Sequence, residues 1–270
     1  MIKISKRFLD KTTGLSLANK ISTSLSDNQI YPQVCLDAAN DYRIFNRFRQ
    51  NPIYNQILEH VTETEGAAYL GLIAQDPILL GELDKFRQND LHGTPRVYEY
   101  PNIGAVSPST LRYVKVLLDL KNLFHGLDGM NICEIGVGYG GQCRIINAQY
   151  VPASYRLVDI KPALLLAQRF LDNYAIKSTL SYLTMNELQK SNYDLVISNY
   201  AFTELPRYIQ EIYLEKVILN SRNGYIIFNE INPVEFNSYK KEELLTFIPG
   251  SRIIEEVPLT HPNNCVIVWG

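Results

Sequence analysis

The stretch from Asn131 to Gln142 reads NICEIGVGYGGQ, and it decides the predicted fold. A short apolar run ends in an acid, a glycine-dense loop follows, and a helical pattern begins after the loop. Strands pass into helices in this way beside nucleotide-type cofactors, because a side chain in the loop would keep the backbone away from the ligand. The stretch therefore predicts a Rossmann-like unit with a cofactor at the end of its first strand.

The glycines alone leave two cofactors open. Gly136, Gly138 and Gly141 have the G-x-G-x-x-G spacing of dinucleotide sites. With Glu134 ahead of them, they equally fit the E-x-G-x-G pattern of S-adenosylmethionine (SAM) enzymes. The acid favours SAM, because a carboxylate suits the cationic methionine end of that ligand and repels a pyrophosphate. We expect these residues of the stretch to contact the cofactor: Glu134, Gly136, Gly138, Tyr139 and Gln142.

The composition indicates a globular protein of 270 residues, with 46% hydrophobic and 20% charged residues. A net charge of -2 gives no general attraction to nucleic acid. We find no apolar run long enough for a membrane span. The N-terminus, Met1–Phe8, does not resemble a signal peptide, so we expect a cytoplasmic protein.

No C-x-x-C spacing occurs, and we expect four reduced, mostly buried thiols without zinc: Cys35, Cys133, Cys143 and Cys265.

The second half of the chain has the pattern of a parallel sheet. Strand-like runs occur at Ile132–Ile135, Tyr155–Ile160, Ser178–Leu183, Asp194–Asn199 and Gly224–Asn229, with helical patterns at Gln142–Ala148, Pro162–Tyr174 and Arg207–Leu219 between them. The last runs, Arg252–Leu259 and Asn264–Trp269, leave no room for a helix and predict an antiparallel hairpin. We therefore expect an α/β fold with the Rossmann-like seven-stranded sheet of class I methyltransferases. A nicotinamide-binding domain would more usually continue to a sixth parallel strand.

The first part of the chain has a different texture. Helical patterns run over residues 32–48, from Pro52 onward, over 65–75 and over 77–86, and a loop is expected from Arg96 to Pro108. Ser109 is expected to cap the next helix. We divide the chain into a helical region, residues 1–104, for lid, substrate or dimer contacts, and a SAM-binding domain, residues 105–270.

Further site residues follow from the ends of the predicted strands, where ligands bind in open α/β sheets. Asp159 can accept hydrogen bonds from ribose hydroxyls, and Ile160 beside it offers an apolar face to adenine. Ser198 and Asn199 end the fourth strand and are expected at the cofactor, and Tyr200 is expected at the substrate. Two residues of the helix before the first strand complete the set: Arg112, for the SAM carboxylate or a substrate anion, and Tyr113, for the substrate.

Several of these motifs together resemble a bacterial family of sugar O-methyltransferases. The segments that carry the resemblance are Gly93–Pro95, Ser107–Tyr113, Glu134–Gly136, Gly138–Gln142, Ile197–Leu205 and Gly224–Tyr225. The resemblance implies a class I SAM-dependent fold and methyl transfer to a sugar hydroxyl in polysaccharide or glycoconjugate biosynthesis. The acceptor would be a sugar, a nucleotide sugar or a glycan. Val137 departs from the family, in which a glycine-richer loop is expected.

A sugar hydroxyl is a weak nucleophile at neutral pH, so a general base is expected. The candidates are Glu204 and His92 first, then Glu230, with His261 last. Carboxylates and histidines are not densely clustered, so we expect no metal. Two alternatives stay open: an NAD(P)-dependent oxidoreductase, and a SAM-binding partner subunit without catalysis. The helical region could equally form a homodimer interface.

Overall fold

The computed structural model describes residues 30–270, and our interpretation of Met1–Phe8 falls outside that range. The described chain begins with the helices α1 (Ile30–Asn40), α2 (Tyr42–Phe45), α3 (Pro52–Tyr54), α4 (Glu63–Ile73), α5 (Pro77–Gly81) and α6 (Leu83–Arg87). The helix expected over residues 32–48 is interrupted at Asp41. Its carboxylate accepts hydrogen bonds from the backbone N–H groups of Arg43 at 2.6 Å and Ile44 at 3.2 Å, and so caps a new helix.

Two expectations for the segment before the sheet are wrong. The expected loop from Arg96 to Pro108 contains an antiparallel pair, β1 (Tyr98–Tyr100) and β2 (Gly104–Val106). The cap of α7 (Pro108–Phe124) is Ser107 and not Ser109, because the Ser107 hydroxyl accepts the hydrogen bond from the Thr110 N–H at 3.2 Å. Proline at the first helical position fixes this start, since its missing N–H needs no partner there.

The main sheet confirms the predicted architecture. Its elements are β3 (Asn131–Ile135), α8 (Gly141–Gln149), β4 (Ser154–Val158), α9 (Lys161–Leu171), β5 (Thr179–Leu183), β6 (Tyr193–Asn199), α10 (Arg207–Lys216), β7 (Ser221–Phe228), α11 (Lys241–Phe247), β8 (Arg252–Ile254) and β9 (Cys265–Trp269). The strand order is β5-β4-β3-β6-β7-β9-β8. Strands β3 to β7 pair in parallel, and β9 runs antiparallel to both β7 and β8. This is the Rossmann-like seven-stranded sheet with a C-terminal antiparallel hairpin.

The terminal hairpin differs from its expected form in one respect. Strand β8 stops at Ile254, so residues 255–264 form a longer connection than the four-residue turn expected from Thr260 to Asn263. Glu256 in this connection is buried and accepts hydrogen bonds, which ties the segment to the rest of the fold. The alternation of apolar residues alone did not indicate that the strand would end early. Helix α11 was also not predicted.

One hydrophobic cluster joins the helical region to the sheet. It holds Tyr54 and Phe86 from the helical region together with Leu117 of α7, Tyr155 of β4 and Phe170 of α9. A second cluster covers the opposite sheet face with α10 and α11. The helices before residue 104 are therefore packed into the same core as the sheet, and they lie beside the strand ends that carry the site.

The remaining bulk expectations concern thiols and membrane spans. All four cysteines are buried free thiols, as predicted. Within residues 30–270, no helix has the length and apolar character needed to cross a bilayer.

Candidate active site

The carboxyl ends of three parallel strands meet at one edge of the sheet. Ile135 at the end of β3 pairs with Val158 at the end of β4, and Glu134 pairs with Ile197 of β6. The glycine loop follows β3, and Asp159 directly follows β4. The parallel pairing thus brings together three segments that are distant in sequence, as expected for a ligand-binding edge of an α/β sheet.

Glu134 is a buried acid at the start of this edge, with only 2% of its surface exposed. Its carboxylate accepts a hydrogen bond of 2.7 Å from the phenol of Tyr155. Burial raises the pKa of Glu134 from 4.5 to about 8, the Tyr155 hydrogen bond opposes that rise, and the negative charge of Asp159 adds to it. A buried carboxyl with these properties favours a cationic neighbour, which would stabilise its charged form.

The loop after β3 needs glycine at two positions. Gly136 has φ +78°, and a β-carbon built on it would lie 2.0 Å from Cβ of Ala201. Gly138 has φ +53°, and its N–H donates a 3.0 Å hydrogen bond to the carboxylate of Asp159. The Ile160 N–H donates to the other oxygen of that carboxylate at 2.7 Å. The loop and the second strand end are therefore held in contact, with Asp159 between them and Ile160 half-buried alongside.

Side chains at the end of β6 connect the loop to the rest of the edge. The Ser198 hydroxyl donates to the Ile135 carbonyl at 3.0 Å and accepts from the Phe202 N–H at 3.0 Å, so it fixes the backbone around the site. The Asn199 amide nitrogen donates to Oε1 of Gln142 at 3.4 Å, and Gln142 in turn donates to the Tyr113 carbonyl at 3.2 Å.

Asn199 also tests whether a ligand fits here. Its Oδ1 atom is buried and accepts no hydrogen bond within residues 30–270. An unsatisfied buried acceptor is costly, and it suits a ligand that carries N–H or O–H donors. With the glycine cradle and the carboxylates of Glu134 and Asp159, this donor and acceptor set fits a nucleoside ligand with a cationic end.

Tyr139 of the glycine loop lies in the core and not at the surface of the loop. Its side chain is completely buried and packs edge-on against Phe48 and Phe170. The centre of its ring lies 4.9 Å from the guanidinium carbon of Arg49. Its hydroxyl accepts a 3.3 Å hydrogen bond from the Asn89 side chain. These contacts of Tyr139 hold the glycine loop against the helical region.

Arg112 lies at the same edge, on α7. Its Nη2 atom donates to the Leu58 carbonyl at 3.1 Å, and its guanidinium carbon lies 5.7 Å from the ring centre of Tyr113. Burial alone would lower its pKa, but the electrostatic influence of the phenols of Tyr113, Tyr200 and Tyr69 raises it. Within the described chain, Arg112 forms no ion pair. Arg112 is therefore a half-buried cation without a carboxylate partner in that range.

Tyr200 shows a feature that the sequence did not reveal. Its backbone has φ +68°, a strained value for a bulky residue directly after β6. Its phenol donates a 2.5 Å hydrogen bond to Glu256, whose second carboxylate oxygen accepts from the Thr260 N–H at 3.0 Å and the Thr260 hydroxyl at 2.8 Å. Glu256 is only 3% exposed and has no ion-pair partner in residues 30–270. The strand end is thereby tied to the terminal hairpin.

Glu204 lies four residues beyond Tyr200 and is half-buried. Its carboxylate accepts a 2.6 Å hydrogen bond from the Asn229 amide, and Oδ1 of Asn229 accepts from the Thr203 hydroxyl at 3.1 Å. Burial raises the pKa of Glu204, and the Asn229 hydrogen bond opposes that rise. Asn229 therefore orients this carboxylate, a role that only the pairing of β6 with β7 makes visible.

The other acid of this rim has a different setting. Glu230 forms a 2.7 Å ion pair with Lys240, and the side chains of Glu230 and Lys240 are 32% and 60% exposed. An exposed, paired carboxylate of this kind keeps contact with water and a cation. Of the two acids expected at the rim, Glu204 is the one that burial and a directed amide hold in place.

The two candidate histidines have settings unlike that of Glu204. The centre of the His92 ring lies 5.6 Å from the ring centre of Phe45, 6.2 Å from that of Phe170 and 5.8 Å from that of Tyr174. Burial lowers the pKa of His92. These contacts attach the Asp90–Pro95 turn to α2 and α9, and within residues 30–270 no hydrogen bond or ring contact joins His92 to Glu204. His261 is exposed, and its Nδ1 accepts a 3.4 Å hydrogen bond from the Asn263 N–H.

In residues 30–270, no group of three His, Cys, Asp or Glu side chains is placed to hold a metal ion. Clefts of about 460 and 440 Å³ lie away from the site, one at the amino-terminal edge of the sheet beside Asp194 and one between α2 and α9 beside Arg169. Neither cleft is lined by the glycine loop, by Glu134 or by Asp159.

Comparison with known proteins gives a distant structural likeness. No protein-family model matches the chain, and no curated protein matches it either. A SAM-dependent methyltransferase from Aquifex aeolicus is 19% identical, with 58% of this chain and 87% of that chain covered and a TM-score of 0.40. Magnesium protoporphyrin IX methyltransferase from Synechocystis PCC 6803, solved with bound SAH, is 14% identical, with 74% and 100% covered and a TM-score of 0.44. The resemblance to sugar O-methyltransferases stays a prediction.

Proposed function

We propose that this protein is a SAM-dependent O-methyltransferase that methylates a sugar hydroxyl in polysaccharide or glycoconjugate biosynthesis. One observation carries the proposal: a buried acid that forms no ion pair within residues 30–270 and a second carboxylate, at the end of the next strand, flank a glycine loop at one sheet edge. Glu134 is 2% exposed, and Asp159 accepts from the loop at Gly138 at 3.0 Å. A dinucleotide pyrophosphate would place negative charge beside these acids and disfavour the ionised form of Glu134, whereas the amino-acid end of SAM brings a cation that stabilises that form.

The chain has a residue for each part of the cofactor. Glu134 attracts the cationic end, Asp159 accepts from the ribose hydroxyls, and Ile160 packs against adenine. Arg112 binds the carboxylate as a cation without an ion-pair partner in the described chain. The unsatisfied Oδ1 of Asn199 accepts a ligand donor. When bound, SAM supplies a methyl group on a sulfonium, which is a good leaving group.

The protein's own task in the reaction is to orient and deprotonate the acceptor. Glu204 is the base we favour, because burial raises its pKa and Asn229 fixes its direction through a 2.6 Å hydrogen bond. It takes the proton of the acceptor hydroxyl as the oxygen becomes the nucleophile. His92 and Glu230 are the remaining candidates for this role.

The acceptor class rests on the sequence resemblance and on the aromatic residues near Arg112. Tyr113 and Tyr200 lie on α7 and directly after β6, and both interact electrostatically with Arg112. Tyrosine has a flat apolar face and a polar tip, which suits the mixed surface of a sugar ring. The acceptor is accordingly a sugar, a nucleotide sugar or a glycan.

A turnover assay tests the proposal. The purified chain is incubated with methyl-labelled SAM and with separate pools of nucleotide sugars, oligosaccharides and polysaccharides, and label in the acceptor is counted. We expect label in at least one pool, and alkali-stable label would indicate an ether and not an ester. SAM binding without label in any pool would support the partner-subunit alternative.

A further inference from the structure

Leu58 of the helical region touches two elements of the proposed cofactor site. A β-carbon built on Gly138 would lie 2.9 Å from Cδ1 of Leu58, so this side chain covers part of the glycine loop. The Leu58 carbonyl also accepts the 3.1 Å hydrogen bond from Arg112. Gly138 and Arg112 lie on different elements, and each was expected at the cofactor from the sequence. They converge on a residue that the sequence had not indicated.

The backbone around Leu58 has an unusual form. Residues Asn55–Glu59 make a π-helical turn, a rare conformation that often occurs at functional sites. Asn51 caps the preceding helix α3 by accepting from the Ile53 and Tyr54 N–H groups at 3.0 and 3.2 Å. The turn is therefore held at its start by a local cap.

The end of the turn is fixed by a buried ion pair. The Glu59 carboxylate accepts from Nε and Nη2 of Arg49 at 2.8 and 3.0 Å, and from the Ser109 hydroxyl at 2.9 Å. Glu59 and Arg49 are both buried, and Ser109 belongs to α7. Separating such a pair leaves an uncompensated buried charge. Moving the turn away from α7 would therefore cost considerable free energy. Leu58 is held against the loop as part of a preformed surface.

We infer that the π-helical turn Asn55–Glu59 is the wall of the cofactor pocket that faces the glycine loop, and that the Leu58 side chain contacts the bound cofactor. This assignment rests on the proposed function. The half-buried leucine gains burial when an adenosine or methionine moiety lies on the loop. Its carbonyl holds one N–H of Arg112, and the other donors of that guanidinium remain for the ligand carboxylate.

The test compares S-adenosylhomocysteine (SAH) binding to the full chain and two variants by calorimetry. Leu58→Ala should weaken binding about tenfold, because it removes an apolar contact of the usual size. Leu72→Ala is the matched control: this leucine is also half-buried in the helical region, but it lies on α4. Its SAH affinity should equal that of the unmodified chain. Equal affinities for all three proteins would overturn the assignment while leaving the proposed function intact.

A second measurement needs no variant. Amide hydrogen exchange of the unmodified chain, with and without SAH, should show slower exchange over residues 55–61 when SAH is bound. Unchanged exchange there, together with slower exchange in the glycine loop, would place the ligand on the loop but away from the turn and would overturn the assignment. Absence of SAH binding to the unmodified chain would overturn the proposed function, and the assignment with it.

Discussion

The phenol of Tyr155 donates a 2.7 Å hydrogen bond to Glu134, and within residues 30–270 this is the only donor to that buried carboxylate. Tyr155 on β4 is itself fully buried. One neutral donor satisfies a carboxyl group only partly, and burial raises the pKa of Glu134 to about 8. The fold therefore keeps an acid that is mostly protonated at neutral pH at the place where we propose a cationic ligand end.

The first prediction concerns the stability of the free protein. The pKa of Glu134 is raised from 4.5 to about 8 in the folded chain. Between pH 4.5 and pH 8, the folded chain therefore keeps a proton on Glu134 that the unfolded chain has lost. The free energy of unfolding should therefore fall as pH rises from 5 to 9. Glu134→Gln keeps an acceptor for Tyr155 and removes the titration, so it should unfold at higher urea concentration than the unmodified chain at pH 9. An unmodified chain that matches the variant at pH 6 and at pH 9 would contradict the raised pKa.

A second prediction follows for ligand binding. A cationic ligand favours the charged form of Glu134, so binding should release a proton below pH 8. SAH affinity should then rise with pH from 6 to 8, by at most about tenfold per pH unit, and level off above. Glu134→Gln should bind SAH about tenfold more weakly at pH 8 and lose this pH dependence. Calorimetry in buffers of different ionisation enthalpy measures the released proton, and no release would argue against contact with Glu134.

The third prediction addresses the base. Glu204→Gln should lower turnover about 10²- to 10⁴-fold, because the amide cannot take the acceptor proton. SAH affinity should stay unchanged, since we place Glu204 on the acceptor side. Glu211→Gln, an exposed acid on α10, is the matched control and should retain turnover. Full turnover of Glu204→Gln would shift the role to His92 or Glu230.

The fourth prediction concerns the link between Tyr200 and the terminal hairpin. Tyr200→Phe removes the donor to buried Glu256 and should lower the free energy of unfolding by about 1–3 kcal/mol. Tyr208→Phe changes an exposed tyrosine on α10 and should leave stability unaltered. Urea denaturation of both variants decides the matter. Equal stability of the two variants would show that the 2.5 Å contact contributes little.

The sequence predicted the sheet well because the evidence for it is local. Buried parallel strands such as β3 and β6 are short apolar runs, and Gly136 marks the turn that follows β3. Helix boundaries were predicted less accurately where two nearby residues can both act as the cap. Both Ser107 and Ser109 can cap a helix, and in the structure the cap is Ser107. Asp41 likewise divides a continuous apolar pattern, because its side chain prefers the capping position.

The parts of the site that were missed depend on contacts between distant residues. Glu256 accepts a hydrogen bond from Tyr200 at the end of another strand, and Leu58 packs against Gly138. Asn229 was visible as a strand end, but only its amide bond shows that it directs Glu204. Spacing along one chain cannot show which loops pack together, so the sequence did not indicate these contacts.

The most direct test of the central claim compares cofactors on the unmodified full chain. Thermal unfolding is followed at pH 8 with SAM, SAH, NAD and NADP, each at the same concentration. A ligand that binds the folded state raises the midpoint temperature of unfolding. At a concentration one hundred times its dissociation constant, it adds about 2.7 kcal/mol to the free energy of unfolding. We predict a clear rise with SAM and SAH and no shift with NAD or NADP. A rise with NAD or NADP and none with SAH would contradict the account.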